Sequence, residues 1–384
     1  MPQLLSEDEE AHYSAFKEFV SLNVEPFAEA WDRDEQIPRA VISLLGEAGH
    51  LGVTLPRDYA GQGRSTVTFG LLNEAMGRGS SALTDVITCQ AMVSMALLKW
   101  GTPEQRTRRI PSLAKGETIA AFALTEPGAG SDTQALATTY TPASDDGELV
   151  LNGRKKWISC AQFADIFLVF GLLGERAVAF LVDRNTPGFS IEPIRELLGF
   201  RAAGLAELHF ENVRVPAANI VGKPGFGLSH VATVGLQYGR ISTACSGAGL
   251  LRGCVEESVS YAARRAIGEQ TVGDLGMIRS LITRMGTDAE AARLLCLSAC
   301  RAEDDGRPEA FEKTLMAKYF TSRAAVRAAS DAVQIRGASG CHGSSSVSRF
   351  YRDAKILEII EGTTQIHEQL LGKMFVDRAP RLDL

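Results

Sequence analysis

No apolar stretch of this 384-residue chain is long enough to cross a bilayer; the longest, Ile166 to Leu173, is far too short. The first residues, Met1 to Glu10, are acidic and lack the apolar core of a signal peptide. No basic run is long enough to seek an anionic membrane, and the net charge of −6 comes from interspersed acids and bases, so nucleic acid is not an expected partner. The seven cysteines, at 89, 160, 245, 254, 296, 300 and 341, are odd in number and show no Cys-x-x-Cys spacing. That argues against a disulfide framework and a zinc site alike, so no metal is expected. Cys296 and Cys300 lie one helical turn apart and read as core thiols. Gly128-Ala129-Gly130 lacks the third glycine and the following helix of a dinucleotide fingerprint, and no Walker loop occurs elsewhere. Repeats and low-complexity tracts are absent too. A cytoplasmic protein without membrane or nucleic-acid partners is the expectation.

The composition is ordinarily globular, 45% hydrophobic and 22% charged, and the length suits two or three domains. Three textures succeed one another. In residues 1–119 apolar residues recur at helical spacing, as at Phe16, Phe19 and Val20, then Ile42, Leu44 and Leu45. Thr102-Pro103-Glu104-Gln105 predicts a helix start, with Thr102 as cap, Pro103 in the first position and Gln105 completing a capping box. In residues 120–222 the period shortens: Glu148–Leu151, Ile166–Phe170 and Ala177–Val182 read as strands, punctuated by Asp145-Asp146-Gly147 and Asn185-Thr186-Pro187-Gly188. No helix-length pattern separates them, which favours an antiparallel barrel or sandwich. In residues 223–384 long amphipathic stretches return, Ser242 to Ala266, Leu275 to Ala302 and Pro308 to Ile335, as in a four-helix bundle. The fold class is α+β: helices, then strands, then helices.

Three short segments carry chemistry. Glu361 closes the apolar run Ile356-Leu357-Glu358-Ile359-Ile360 and precedes Gly362-Thr363-Thr364, where a helix can begin. That setting desolvates a carboxylate, raises its pKa and makes it a usable base; a turn carboxylate satisfied by its own backbone has the same local sequence. In Thr125-Glu126-Pro127-Gly128-Ala129-Gly130-Ser131-Asp132 the glycines allow close backbone approach and Thr125 and Ser131 offer hydroxyls, as for clasping a polar planar ring, or as in any glycine-rich turn. Asn152-Gly153 predicts a hairpin turn leading into a strand with Trp157 and Ser159 on one face. That pair suits a flavin ring, and equally a core tryptophan with a strand serine. His367, six residues beyond Glu361, reads as a surface or interface histidine. Arg240 reads evenly as a substrate ligand or as a capping and pairing residue of the bundle. Ala91, Ser94 and Gly247 are small enough to line an acyl pocket.

Together with Gly52-Val53-Thr54-Leu55-Pro56, Leu198-Gly199-Phe200-Arg201 and Asn212-Val213-Arg214-Val215-Pro216, these segments resemble the acyl-CoA dehydrogenase family, in order and over nearly the whole chain. The resemblance implies an N-terminal helical domain, a middle β-domain and a C-terminal four-helix bundle, bound FAD, and a homodimer or homotetramer whose neighbours share flavin contacts. It implies Glu361 as the base, which removes a proton from an acyl thioester while a hydride leaves to flavin N5. It implies Thr125, Ser131, Trp157 and Ser159 around the flavin ring, with Ser131 and Arg240 also near substrate. Arg265 matches the arginine that reaches a neighbour's FAD phosphates. Gln334, Gly337 and Gly340 match the segment at its adenosine end, and Thr363 and Gln365 match residues beside the flavin. An electron acceptor must then reoxidise the flavin.

Departures narrow the resemblance. Ile360 stands where the family usually has tyrosine, Lys373 where it has arginine, and Gln237 where a common aspartate helps hold CoA; Gly268-Glu269 and Gly337-Ala338 also differ from the usual pattern. Ile359-Ile360-Glu361-Gly362, Arg201-Ala202-Ala203-Gly204 and Tyr238-Gly239-Arg240 resemble the branch that makes hydroxymalonyl and methoxymalonyl extender units of polyketides on acyl carrier proteins. The expectation is oxidation of a small, glycerate-derived thioester on a carrier protein. The alternative is α,β-desaturation of a fatty or branched-chain acyl-CoA. A catalytically dead scaffold and a flavin monooxygenase of the same fold are further readings.

Overall fold

Periodicity at the amino terminus resolves into six helices: α1 (Glu7–Asn23), α2 (Ala28–Asp34), α3 (Arg39–Glu47), α4 (Thr66–Gly79), α5 (Ser81–Trp100) and α6 (Pro103–Ala114). The computed structural model describes residues 4–143 and 147–378. The start of α1 is a capping box between Ser6 and Glu9, and its apolar face buries Tyr13, Phe16 and Val20. The expected box at Thr102 and Gln105, with Pro103 in the first turn, opens α6. Among the described residues α5 is the one helix long and apolar enough to span a membrane, and it is buried between α4, α6, the sheet and the C-terminal bundle.

Seven strands follow: β1 (Ala120–Ala123), β2 (Thr139–Pro142), β3 (Glu148–Ile158), β4 (Ile166–Leu173), β5 (Arg176–Asp183), β6 (Phe189–Pro193) and β7 (Ala206–Pro216). Their order is β1-β4-β2-β3-β7-β6, with β5 also on β4. The three expected strands fall within β3, β4 and β5. Pairing is not wholly antiparallel as the sequence suggests, because β4 runs parallel to both β1 and β2. β4 is buried on both faces, which explains its unbroken apolar run.

The expected hairpin at Asn152-Gly153 is not there. Both residues lie inside β3, where a register shift follows Leu151. The Asn152 side chain binds Asn212 on β7, accepting from its N–H at 2.8 Å. A Cβ on Gly153 would come within 2.6 Å of the Thr138 hydroxyl, so glycine serves a close strand approach rather than a turn. Of the other turn signal, Asp145 and Asp146 lie outside the described residues, while Gly147 takes φ 92°.

The C-terminal part comprises α7 (Thr233–Arg264), a small hairpin of β8 (Ala266–Ile267) and β9 (Gln270–Thr271), then α8 (Gly276–Asp304), α9 (Ala310–Arg336), α10 (Ser346–Leu357) and α11 (Thr364–Val376). Helices α7, α8 and α9 pack on one another, α10 lies against α7 and α9 and α11 against α9, and six of the seven cysteines are buried free thiols. Gly249 sets α7 against α4: a Cβ there would lie 1.8 Å from the Glu74 carbonyl oxygen. The β-domain docks on α10 through Asp353, whose carboxylate accepts from the Phe200 N–H at 2.7 Å. Around it, Arg352 pairs with Asp32 and Arg201 with Glu35, joining all three parts of the chain.

Candidate active site

Between α10 and α11 the chain makes a turn that ends at Thr363, whose hydroxyl caps α11 by accepting from the Ile366 N–H. Glu361 takes φ 53° and Gly362 φ 93°, so two successive residues are left-handed. For a glutamate that conformation costs about 1–2 kcal/mol and must be held by its surroundings. Lys318 of α9, fully buried, donates to the Gly362 carbonyl at 2.5 Å. Arg240 of α7 donates from Nε to the Glu361 carbonyl at 3.4 Å, and His367 Nε2 lies 3.3 Å from the same oxygen. His367 is therefore a buried partner of this turn and not a surface histidine. Burial pushes it down to about 3, keeping it neutral, with Lys318 and Arg240 adding to the effect.

The carboxyl of Glu361 points the other way. Its Oε2 is sealed from solvent and has no hydrogen-bond partner among the described residues. Burial pushes the group up to about 7; Arg240 opposes the rise, Asp85 adds to it and Lys318 opposes it. The reading of a turn carboxylate satisfied by its own backbone is thereby excluded. Space for the carboxyl exists because α7 carries glycine opposite it: a Cβ on Gly239 would sit 2.4 Å from Oε2. The clash in Gly239→Ala falls on the free end of a side chain, so thermal stability should change little. Turnover should fall about 100-fold as the carboxylate is displaced by roughly 1 Å; kcat and melting temperature measured on the same preparation check this.

The β-domain supplies the facing wall. Glu126 and Lys155, both buried, pair at 2.8 Å, and Glu126 also accepts from the N–H groups of Ala137 and Thr138. Lys155 donates further to the Leu124 carbonyl, and the Lys156 N–H to that of Thr125. This pins the Thr125–Ser131 loop against β3. Burial lowers Lys155 to about 8, with Glu126 opposing the fall. In Lys155→Met the Glu126 carboxylate would be left buried and uncompensated, costing about 3–5 kcal/mol. A denaturant titration measures that loss.

Just beyond the pair, β3 bulges between Lys155 and Ile158, and Trp157 takes φ 61° with 51% of its surface exposed. A tryptophan held rigidly open to solvent beside a loop with free space over Gly128 and Gly130 makes a platform, not a core contact. Ser159 follows the end of β3, where its carbonyl accepts from the Cys89 thiol of α5 at 4.0 Å. Thr125, Trp157, Ser159, Glu361 and Arg240 thus converge, with Ser131 at the exposed end of the loop. Thr363 is spent on the cap, and Gln365 is exposed on the first turn of α11. Arg265, Gln334, Gly337 and Gly340 do not join them. Arg265 follows the far end of α7, Gln334 lies 16 residues beyond Lys318 on α9, about 24 Å at the helical rise, and Gly337 and Gly340 follow the end of α9. A Cβ on Gly247 would come within 2.9 Å of the Thr321 methyl and 3.3 Å of Leu357.

Asp85, Lys318 and His367 belong to the site and were not singled out from sequence as its members. Asp85 had a signal: it is the one carboxylate in α5. Next to the site, Met95, Leu98, Tyr238 and Phe311 line an apolar cavity of about 450 Å³, and Arg240 stacks over the Phe311 ring at 5.5 Å.

The unpartnered Oε2 of Glu361, the exposed Trp157 and the apolar cavity beside Tyr238 and Phe311 together fit a dehydrogenase. Comparison with known proteins agrees. The chain matches the acyl-CoA dehydrogenase N-terminal domain over residues 6–117, the middle domain over 121–213 and the C-terminal domain over 226–375. It is similar to an acyl-CoA dehydrogenase of Bacillus subtilis (strain 168), 36% identical over 364 residues that take in 93% of this chain and 95% of that protein. A glutaryl-CoA dehydrogenase from Mycobacterium smegmatis solved with FADH2 has a TM-score of 0.92 at 27% identity, covering 98% of this chain and 96% of that one. FkbI, solved for its part in biosynthesis of the methoxymalonyl extender unit of the polyketide Fk520, has a TM-score of 0.87 at 29% identity, over 95% and 99% of the two chains. The chain belongs to the acyl-CoA dehydrogenase family and is an FAD-dependent oxidoreductase acting on acyl thioesters.

Proposed function

We propose that this enzyme oxidises a short, glycerate-derived acyl thioester carried on an acyl carrier protein, in the making of a hydroxymalonyl-type extender unit, with Glu361 as the base. The observation that carries the base assignment is the Glu361 carboxyl: its Oε2 is sealed and unpartnered and the group is raised to about 7, so that oxygen serves no bond within the fold. When bound, FAD supplies a two-electron acceptor for the hydride that leaves the substrate carbon. The protein's own part is to hold and take the proton. Glu361 Oε2 accepts it from the substrate hydroxyl or aldehyde hydrate, and the Arg240 and Lys318 charges favour the ionised base beforehand. The Glu361 N–H, which has no acceptor among the described residues, is free to donate to the thioester oxygen. In this oxidation that bond orients the acyl group; in α,β-desaturation, where the thioester oxygen gains enolate charge, such a donor would be worth about 3–4 kcal/mol of barrier.

The residues around Trp157 fit a flavin. Trp157 is half exposed and the loop through Ser131 leaves room for backbone approach at Gly128 and Gly130, while Thr125 begins that loop and Ser159 follows the end of β3. Arg265, Gln334 and Gly337 are exposed at the opposite end of the bundle, as suits contact with the FAD of a second copy in a homodimer or homotetramer. The apolar cavity beside Tyr238 and Phe311 suits the pantetheine arm that CoA and carrier proteins share. What favours the carrier is the likeness to FkbI and Gln237, which donates to Glu303 and Thr314 at 2.9 and 3.0 Å and adds no carboxylate there.

Desaturation of an ordinary acyl-CoA is the second reading, favoured by the Bacillus relative. Anaerobic bleaching of the flavin separates them. Bleaching by a glycerate-derived thioester on a carrier protein, and not by fatty acyl-CoAs of several lengths, is expected. Fast bleaching by an acyl-CoA would return the enzyme to desaturation.

A further inference from the structure

Two lysines among the described residues are fully buried, and they differ in company. Lys155 faces the Glu126 carboxylate at 2.8 Å. Lys318 of α9 forms no ion pair among the described residues; it donates to one backbone oxygen, the Gly362 carbonyl, at 2.5 Å. Burying a cation without a carboxylate costs stability, and an apolar side chain of similar length would pack there without that cost. The fold alone gives no reason for an amine at this position. Burial lowers Lys318 to about 7, so near neutrality much of it is a neutral amine, which still donates.

What Lys318 holds is the turn that carries the base. Glu361 and Gly362 are both left-handed, and their two carbonyls are gripped from three helices. Lys318 of α9 takes that of Gly362; Arg240 of α7 takes that of Glu361 at 3.4 Å, and His367 of α11 reaches the same oxygen with Nε2 at 3.3 Å. His367 Nδ1 is sealed without a partner, so the neutral ring carries its proton on Nε2 and donates. The Lys318 contact is the shortest of the three. Helix α9 also packs on both α10 and α11, which flank the turn, so a donor on α9 ties the turn to both. With both carbonyls pinned, the base has one direction in which to point.

We propose that Lys318 is a positioning residue for the reaction: by holding the Gly362 carbonyl it keeps the Glu361–Gly362 turn left-handed and the base carboxyl aimed at the reacting proton of the thioester. It acts through the backbone of the turn and exchanges no proton. The charges that face it are Glu361, Arg240 of α7 and Glu358 at the end of α10, with His367 of α11 neutral. Attraction between Lys318 and Glu361 would be a second way to help the base. The two roles separate at high pH, where the amine is neutral and the carboxylate is ionised without help. The inference rests on Glu361 being the base of a thioester oxidation, as proposed above.

A cycle of Lys318→Met and Glu361→Gln in the FAD-loaded protein tests it. The readout is anaerobic flavin reduction at pH 8.5 by a glycerate thioester on a carrier protein and by butyryl- and octanoyl-CoA. Lys318→Met should slow reduction about 10- to 100-fold where Glu361 is present. In the Glu361→Gln background it should cost less than about twofold, since a turn with no base to aim has nothing to lose. Lys318→Arg, which keeps an N–H donor, should be slowed less than Lys318→Met. Equal losses in both backgrounds mark general damage and overturn the inference. A Lys318→Met enzyme that is impaired at pH 6.5 and runs at the wild-type rate at pH 8.5 also overturns it, in favour of attraction between charges. Should Lys318→Met not fold, Lys318→Gln carries the same cycle. Independently of any substrate, a crystal structure of the variant should show the Gly362 carbonyl turned and the Glu361 carboxyl displaced by about 1 Å; an unchanged turn overturns the inference. Reduction that survives Glu361→Gln alone is a different result and removes the base assignment itself. Wild-type flavin that none of the thioesters bleaches counts against the proposed reaction and leaves the crystal structure to decide the role of Lys318.

Discussion

Glu361→Gln should slow anaerobic flavin reduction by an acyl thioester about 10³- to 10⁴-fold while the protein keeps its fold and its flavin. A carbon-bound or hydroxyl proton is a poor acid, and the rate depends on a base held within reach of it. Glutamine keeps the shape, the left-handed turn and the carbonyl contacts from Arg240, His367 and Lys318, because those reach backbone oxygens and not the side chain. It removes only the group that accepts the proton. Since Oε2 has no partner to lose, no network collapses with it. The loss should therefore fall equally on kcat and kcat/KM, the mark of an interaction used in the transition state. A scaffold without activity predicts no change in any assay. A monooxygenase predicts peroxide or hydroxylated product in air, at a rate indifferent to this substitution. Stopped-flow absorbance of the flavin under nitrogen measures the first outcome, and peroxide release in air the other.

The sequence carried the helix–strand–helix order because periodicity is a local property. Runs of period near 3.6 and near 2 survive whatever packs on them, so α7, α8, α9 and β3 to β5 stand where their patterns put them. Glu361 was legible for the same reason, its apolar flank and its Gly-Thr-Thr being contiguous with it. Partners that arrive from elsewhere were not. Lys318 belongs to α9 and reaches the turn only because α9 lies beside α11, and His367 folds back one helical turn on its own segment. Neither spacing announces burial. Asn152-Gly153 misled for a different cause: the dipeptide has turn chemistry, but here glycine answers a neighbouring strand that crowds it at Thr138. Two parallel pairings escaped because local alternation says nothing of strand direction.

The rate of flavin reduction should rise with pH through a midpoint near 7 and level off above it, where an ordinary glutamate would give a flat profile. The base works ionised, and burial holds its proton from the ordinary 4.5 up to about 7. Arg240 is the strongest opposing influence, so Arg240→Met should move the midpoint alkaline by about one to two pH units. The variant's deficit should then be large at pH 6.5 and shrink by pH 9, whereas loss of a purely structural contact would depress all pH values alike. Stability carries the same signature with a definite sign. Between 4.5 and about 7 the folded protein retains a proton that the unfolded chain has released, so Glu361's contribution to stability falls as pH rises through that window. Lys318 acts oppositely. Burial lowers it from 10.5 to about 7, so its contribution is lost as pH falls through that range. The two windows meet near neutrality. Glu361→Gln should therefore flatten the acid-side slope of unfolding free energy between pH 5 and 7 while leaving the alkaline-side slope of Lys318 in place. Denaturant melts across pH 5 to 10 report both slopes on one protein, and an unchanged acid-side slope would mean that this carboxyl titrates as an exposed one.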